Sequence, residues 1–147
     1  MQRPFYALLL LASAFAFTSC QKTNVIANEQ NIEGTWAVTG IRSDRAYDFN
    51  GDGYSETDIY GSYNSCQRDI VVVFQPNGYG QMRQGCNAGW QNTSWQLTNG
   101  NRNLDIALPN DDLNLSLQQL DNYTIRGVDQ VQINGNYFNI TYTLQRQ

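Results

Sequence analysis

The chain has 147 residues, a formal charge of −4 and no histidine, and its length suits a single domain of ordinary size. Mild acidity without any basic run argues against nucleic-acid binding, which needs clustered Lys and Arg to contact phosphates. The absence of histidine excludes Ser-His-Asp and Cys-His catalysis and the usual zinc, copper and non-haem iron sites, so we expect a protein that is not an enzyme.

The first 19 residues differ in kind from the rest of the chain. Arg3 supplies a basic start, and the apolar run "FYALLLLASAFAF" is typical of a secretory signal peptide and short for a membrane span. The run leads into "FTSC", which resembles a bacterial lipobox, the site where a signal peptidase cleaves before a lipidated Cys. We therefore predict a lipoprotein signal peptide over 1–19, a lipidated Cys20 carrying acyl chains such as palmitate, and a tether over 20–31.

The residues after Cys20 bear on the destination of the anchored protein. Gln21 and Lys22 follow, with no adjacent Asp, which favours the outer membrane over retention at the inner membrane. Thr23 and Asn24 come next, where a surface-export signal would have acids, so we expect the periplasmic side and not the cell surface. The membrane is therefore the first expected partner, and partner proteins stay undefined.

The stretch "DFNGDGYSETD" follows the first predicted strand and has the spacing of a calcium loop. Such a loop takes side-chain oxygens from positions 1, 3 and 5 and a carbonyl from position 7, with Gly at position 6. Ile59 stands where a bidentate Glu would complete an EF-hand, so nearby acids would have to close the site, and a plain polar turn is the alternative. The predicted Ca²⁺ ligands are Asp48, Asn50, Asp52, the Tyr54 carbonyl, Glu56 and Asp58.

Two cysteines remain after Cys20 is assigned to lipid. Cys66 and Cys86 form an even pair in a chain predicted to be exported, where disulfides are the default. Neither belongs to a CxxC metal motif. We predict that they are bonded and that the bond ties the start of one strand to the loop after the next.

From Gly34 onward the chain is predicted to be all-β. Alternating apolar residues, one continuous β-branched run and Asn-Gly turns mark eight strands near 35–42, 69–74, 79–84, 93–97, 103–108, 113–117, 123–133 and 138–144. Consecutive hairpins predict an eight-stranded antiparallel up-and-down barrel over 32–147, with a β-sandwich as the alternative. The one long connection, 43–67, contains "SETDIYGSYN", which could form a short helix.

The ordered set of features resembles a family of bacterial lipocalin-like lipoproteins. The matching features are the lipobox, Gly34-Thr35-Trp36, the loop from Asp48 to Gly53, Cys66 with the run 69–74, Asn77-Gly78, Cys86, Trp95 and the final "ITYTL" strand. The resemblance implies a barrel whose first-strand Trp36, beside Gly34, packs at the closed end against an Arg near the C-terminus, here Arg146. It implies fold and location more than activity.

Two functions are consistent with such a barrel. The first is binding of a small apolar or amphipathic ligand in the barrel by aromatic side chains, for which the candidates are Tyr60, Tyr63, Tyr79, Trp90, Trp95 and Tyr142. The second is a protein-interaction or structural envelope lipoprotein with a filled barrel, in which these aromatic residues would be core, and an exposed patch near "CNAGW" would contact the partner.

Overall fold

The computed structural model describes residues 31–109 and 111–147, and antiparallel strands dominate them. The strands are β1 Gly34–Tyr47, β2 Glu56–Asp58, β3 Ile70–Phe74, β4 Tyr79–Gln84, β5 Gln91–Thr98, β6 Asn103–Ala107, β7 Asp112–Leu120, β8 Thr124–Ile133 and β9 Asn136–Arg146. A short helix, α1 Ile59–Ser62, and a 3-10 turn at Pro76–Gly78 complete these elements, and none of the helices in the described part of the chain has the length and hydrophobicity of a membrane span. The predicted signal peptide, Cys20 and tether residues 20–30 lie outside the described residues.

Eight of the strands close into a barrel because β1 pairs with neighbours on both sides. It pairs with β3 through residues 34–37 and with β9 through residues 36–43, while each strand from β3 to β8 pairs with the next strand in the chain. This closure confirms the predicted eight-stranded antiparallel barrel and rules out the β-sandwich.

The long first connection is more ordered than the sequence pattern indicates. β1 continues to Tyr47, beyond its predicted end, and the additional short strand β2 pairs with this extension outside the closed circuit. The helix α1 follows at once, as the pattern predicted, and Asp58 caps it by accepting a hydrogen bond from the Gly61 N–H at 2.9 Å. The connection therefore lies against the barrel from β1 to the start of β3.

Local backbone chemistry sets the register of the barrel. Asn134 and Gly135 have φ of 49° and 79° and join Ile133 to its partner Asn136, which is the predicted two-residue hairpin turn. In β1 the pairing with β9 shifts between Val38 and Gly40. This bulge changes the parity of the strand, so that its later buried residues have odd instead of even numbers.

One end of the barrel is closed by the segment that precedes β1. Ile32 and Trp36 are fully buried there, and the indole N–H of Trp36 donates to the Ile32 carbonyl at 2.7 Å. Gly34 has φ of +131°, and a Cβ at this position would lie 2.5 Å from an Arg146 nitrogen. Glycine is therefore needed for the chain to pass beneath the arginine.

Arg146 holds this closure together. Its guanidinium carbon lies 4.4 Å from the ring centroid of Trp36, the residue with which the family resemblance pairs it. The three guanidinium nitrogens donate to the carbonyls of Asn122, Glu33 and Asn31 at 2.6, 2.7 and 2.8 Å. A single planar cation thus joins the last strand, the turn before β8 and the N-terminal segment.

Candidate functional site

Toward the opposite end of the barrel, the inward side chains leave a cavity of about 230 Å³. Five strands, β1, β3, β6, β8 and β9, give it a largely aliphatic wall, to which they contribute Ile41, Val72, Ile106, Val131 and Leu144. Residues around the start of β7 and the end of β8 line its outer part, away from the Trp36 end. The cavity is therefore an apolar chamber closed below by the packed core.

A few polar side chains also line the cavity, and no Arg or Lys of the described residues is among them. They are Tyr63, Gln84, Asp111, Asp112, Asp129 and Tyr142. Asp129 is placed there by the alternation of β8, because Ile125 and Gly127 are buried and the same parity continues through Asp129 to Val131. Asp129 is partly buried, and Asp111 and Asp112 are exposed, so the three aspartates give the outer part of the chamber a negative character.

Burial controls the protonation of these groups. It raises the pKa of Tyr142 to about 12, with a further contribution from the negative charge of Asp129, and it also raises the pKa of Tyr63. Burial raises the pKa of Asp129 too; backbone hydrogen bonds partly offset this effect, and Asp111 adds repulsion. At neutral pH the two phenols are protonated, and an ionised Asp129 lacks a compensating cation among the described salt bridges.

Of the six aromatic residues predicted to bind ligand, the structure brings two, Tyr63 and Tyr142, to the cavity. Tyr79 and Trp90 are 67% and 47% exposed and lie outside it, which corrects their assignment. The parity of β4 directs Gly80 inward and leaves Tyr79 outside, while Trp90 precedes β5 and lies beneath the Arg83 guanidinium, 5.3 Å from its ring centroid.

Trp95 and Tyr60 are also absent from the cavity wall. Trp95 packs edge-on against Phe74 with ring centroids 5.5 Å apart, and its indole N–H donates to the Gln75 carbonyl at 3.0 Å. Its role is in closing the core. Tyr60 lies on α1, where its hydroxyl donates to the Arg68 carbonyl at 3.2 Å and helps to fix the connection.

The residues that sequence reasoning missed are the aspartates. Asp129 interrupts an apolar face of β8, which is an available signal, because a carboxylate at an inward position needs a partner or a function. Asp111 and Asp112 stand in a turn sequence, "PNDD", where acids are ordinary. Only the closure of the barrel brings them to the same chamber as Asp129.

The acidic loop after β1 gathers three of the predicted calcium ligands. Carboxylate oxygens of Asp48, Asp52 and Glu56 lie within 4.8 Å of one another. Asp48 is fixed by backbone N–H donors, including that of Gly53 at 2.9 Å. Glu56 returns to the loop because β2 pairs it with Tyr47, the residue before Asp48.

The other predicted calcium ligands are placed differently. The side-chain amide of Asn50 donates to Asp52 at 2.9 Å, and the Tyr54 N–H donates to Asp52 at 2.8 Å, so both stabilise the loop. Asp58 is not part of the three-carboxylate cluster. It caps α1 and lies 4.0 Å from an Arg42 nitrogen of β1.

The predicted disulfide between Cys66 and Cys86 is confirmed, with an S–S distance of 2.09 Å. It joins the segment before β3 to the segment after β4, at the cavity end of that hairpin. A nearby ion pair, Arg83 with Asp69 at 2.9 Å, spans the same two strands. Together they fix the wall beside Tyr63 and Gln84.

No protein-family model matches the chain, and no curated protein matches it significantly. The barrel, the chamber and the acidic loop therefore carry the functional argument by themselves.

Proposed function

We propose that this protein is a lipid-anchored envelope protein that binds a small apolar or amphipathic molecule inside its barrel. The observation that carries the proposal is the cavity of about 230 Å³ with an aliphatic wall and a few polar groups. Binding sites for small molecules have this composition. A closed lower end and a chamber at the other end suit a barrel that admits its ligand from one side.

The anchor belongs to the same proposal and rests on sequence. The basic start, the short apolar run and "FTSC" support lipidation of Cys20, and Gln21 and Lys22 support an outer-membrane position on the periplasmic side. We expect a Cys20→Ala variant to be released from the membrane fraction. Retention of that variant in the membrane would contradict the lipid anchor.

Native mass spectrometry of protein purified from its own envelope tests the ligand. We expect an additional small mass that is lost on denaturation. Val131→Trp should remove this mass because it fills the chamber, whereas Val128→Trp, three positions earlier on β8 and absent from the chamber wall, should keep it. A small mass that is equally present in both variants would contradict binding in the chamber.

The alternative function, protein interaction by a filled barrel, predicts a different result. The native protein would then carry no small molecule, and Val131→Trp would change only stability, because extra volume in a packed core costs about 1–3 kcal/mol. Finding a protein partner in place of a ligand would favour this alternative.

We also propose that the acidic loop binds Ca²⁺ as a structural ion. The three-carboxylate cluster supports this, as does the Oε1 atom of Glu56, which is buried without a hydrogen-bond partner in the described structure. Calcium prefers such carboxylate oxygens. The ion would order the connection from β1 to α1 and take no part in chemistry.

Thermal unfolding with calcium or with chelator tests this site. At a dissociation constant of about 10⁻⁴ M, roughly 1 mM calcium stabilises the folded state by about 1.4 kcal/mol. Asp52→Ala should abolish the gain, whereas Asp58→Asn should keep it, because Asp58 lies outside the cluster and Asn still caps α1. If calcium does not raise the stability of the wild type, the loop is a polar turn and not a calcium site.

A further inference from the structure

We infer that the ligand of the chamber carries an amine: an apolar body of modest size with a positively charged head group. This inference rests on the proposed binding function and specifies its ligand class. The geometry points to it because an aliphatic wall, the partly buried Asp129 and the exposed Asp111 and Asp112 line one cavity without a cation among its lining residues.

No arginine of the described residues lines the chamber, and three of them have partners elsewhere. Arg146 closes the other end of the barrel. Arg83 pairs with Asp69 at 2.9 Å. Arg68 follows Tyr63 closely in sequence, and it donates to the backbone carbonyls of Gly61 and Tyr63 at 2.6 and 2.8 Å. A fatty-acid carboxylate entering the chamber would therefore meet Asp129 without a compensating charge.

The polar groups near Asp129 suit a donor head group. A protonated amine has three N–H donors and no acceptor. The carboxylate of Asp129 and the phenol oxygens of Tyr63 and Tyr142 can accept them, and the high pKa of Tyr142 keeps its phenol neutral. A cation beside Asp129 would also supply the compensating charge that this partly buried carboxylate lacks among the described salt bridges.

The volume limits the size of the apolar body. An engineered apolar cavity of about 150 Å³ holds benzene, which has six non-hydrogen atoms. In proportion, about 230 Å³ admits roughly nine such atoms. Aryl-alkyl amines and short alkyl amines have this size, whereas a long-chain lipid would have to extend out of the barrel.

Isothermal titration calorimetry on the folded protein, freed of co-purified ligand, tests the inference with three probes of matched size. They are phenethylamine, phenethyl alcohol and phenylacetate, which are cationic, neutral and anionic at neutral pH. We expect the amine to bind about tenfold or more tightly than the alcohol, and the acid to bind most weakly, because a charge-assisted hydrogen bond favours the amine.

Two variants assign the preference to Asp129. Asp129→Asn keeps the shape and should reduce amine affinity about tenfold or more while leaving the alcohol unchanged. Asp105→Asn is the matched control, because it removes the same charge from β6 between the buried residues Leu104 and Ile106. It should leave the amine affinity unchanged.

The possible outcomes separate this inference from the proposed function. Equal binding of amine and alcohol, or tighter binding of the acid, overturns the amine preference and leaves ligand binding in place. Absence of binding by all three probes, together with a native protein that carries no small mass, overturns both. An Asp129→Asn variant that fails to fold does not affect the comparison of probes on the wild type, which decides by itself.

Discussion

Removal of the Arg146 side chain should open the closed end of the barrel without touching the chamber. Arg146 stacks on Trp36 and donates three hydrogen bonds to carbonyls of two separate backbone segments, residues 31–33 and the turn before β8. Replacement by Ala leaves those carbonyls to water and exposes one face of the buried indole. The segment at residues 31–33 would then lose its main attachment to β9.

The loss of stability in Arg146→Ala follows from these contacts. Three partly exposed hydrogen bonds contribute about 1 kcal/mol each and the cation–π contact about 1 kcal/mol, so Arg146→Ala should lose about 4 kcal/mol. Arg146→Lys keeps the charge but lacks the planar fork, and we expect it to recover only about 1–2 kcal/mol of that loss. Arg102→Ala, at an exposed position without a described salt bridge, should change stability by less than about 0.5 kcal/mol.

Urea unfolding followed by tryptophan fluorescence measures these differences as shifts of the midpoint at constant slope. Binding of the chamber ligand should survive in Arg146→Ala under folding conditions, because the chamber lies at the other end. A loss of less than about 1 kcal/mol in Arg146→Ala, or an Arg146→Lys variant as stable as the wild type, would contradict this role of the guanidinium. The second result would show that charge alone, and not the fork, holds the closure.

Three further predictions concern the disulfide, the partly buried Asp129 and the β7–β8 contact. Replacing Cys66 and Cys86 with Ala should cost about 3 kcal/mol in denaturant titrations, because the bond spans 20 residues of the unfolded chain, and a loss below about 1 kcal/mol would contradict this. Burial raises the pKa of Asp129 in the folded state above its value in the unfolded chain. The stability that this difference contributes is therefore complete below the unfolded-state pKa, and it is lost as pH rises through the folded-state pKa. Ligand-free Asp129→Asn should therefore be more stable than the wild type at neutral pH and should match it near pH 3, and equal melting temperatures at both pH values would refute this. Gly127→Ala should lose about 1–3 kcal/mol, because its Cβ would lie 2.8 Å from a β7 side chain, whereas Gly89→Ala, which meets no atom within 4 Å, should not.

The sequence alone determined the class of fold and much of its framework. Alternation with period two specifies which residues of each strand face the core, and Asn-Gly turns specify which strands are hairpin neighbours. Two cysteines that flank the paired strands of one hairpin at its open end indicate their own pairing, and the loop spacing from Asp48 to Gly53 indicates a carboxylate cluster. These are local signals, and they depend on a few adjacent residues.

The composition of the chamber depended on tertiary structure. Whether an aromatic residue lines the cavity depends on its position along the barrel axis as well as on the face of its strand. Trp95 points inward and yet packs at the closed end. Asp111 meets Asp129 only because the strands close into a ring and bring the turn before β7 beside the inward face of β8. Pairing between β1 and β9, the first and last strands of the ring, is a long-range choice that no local pattern encodes, and it decides where the empty space and its negative charge lie.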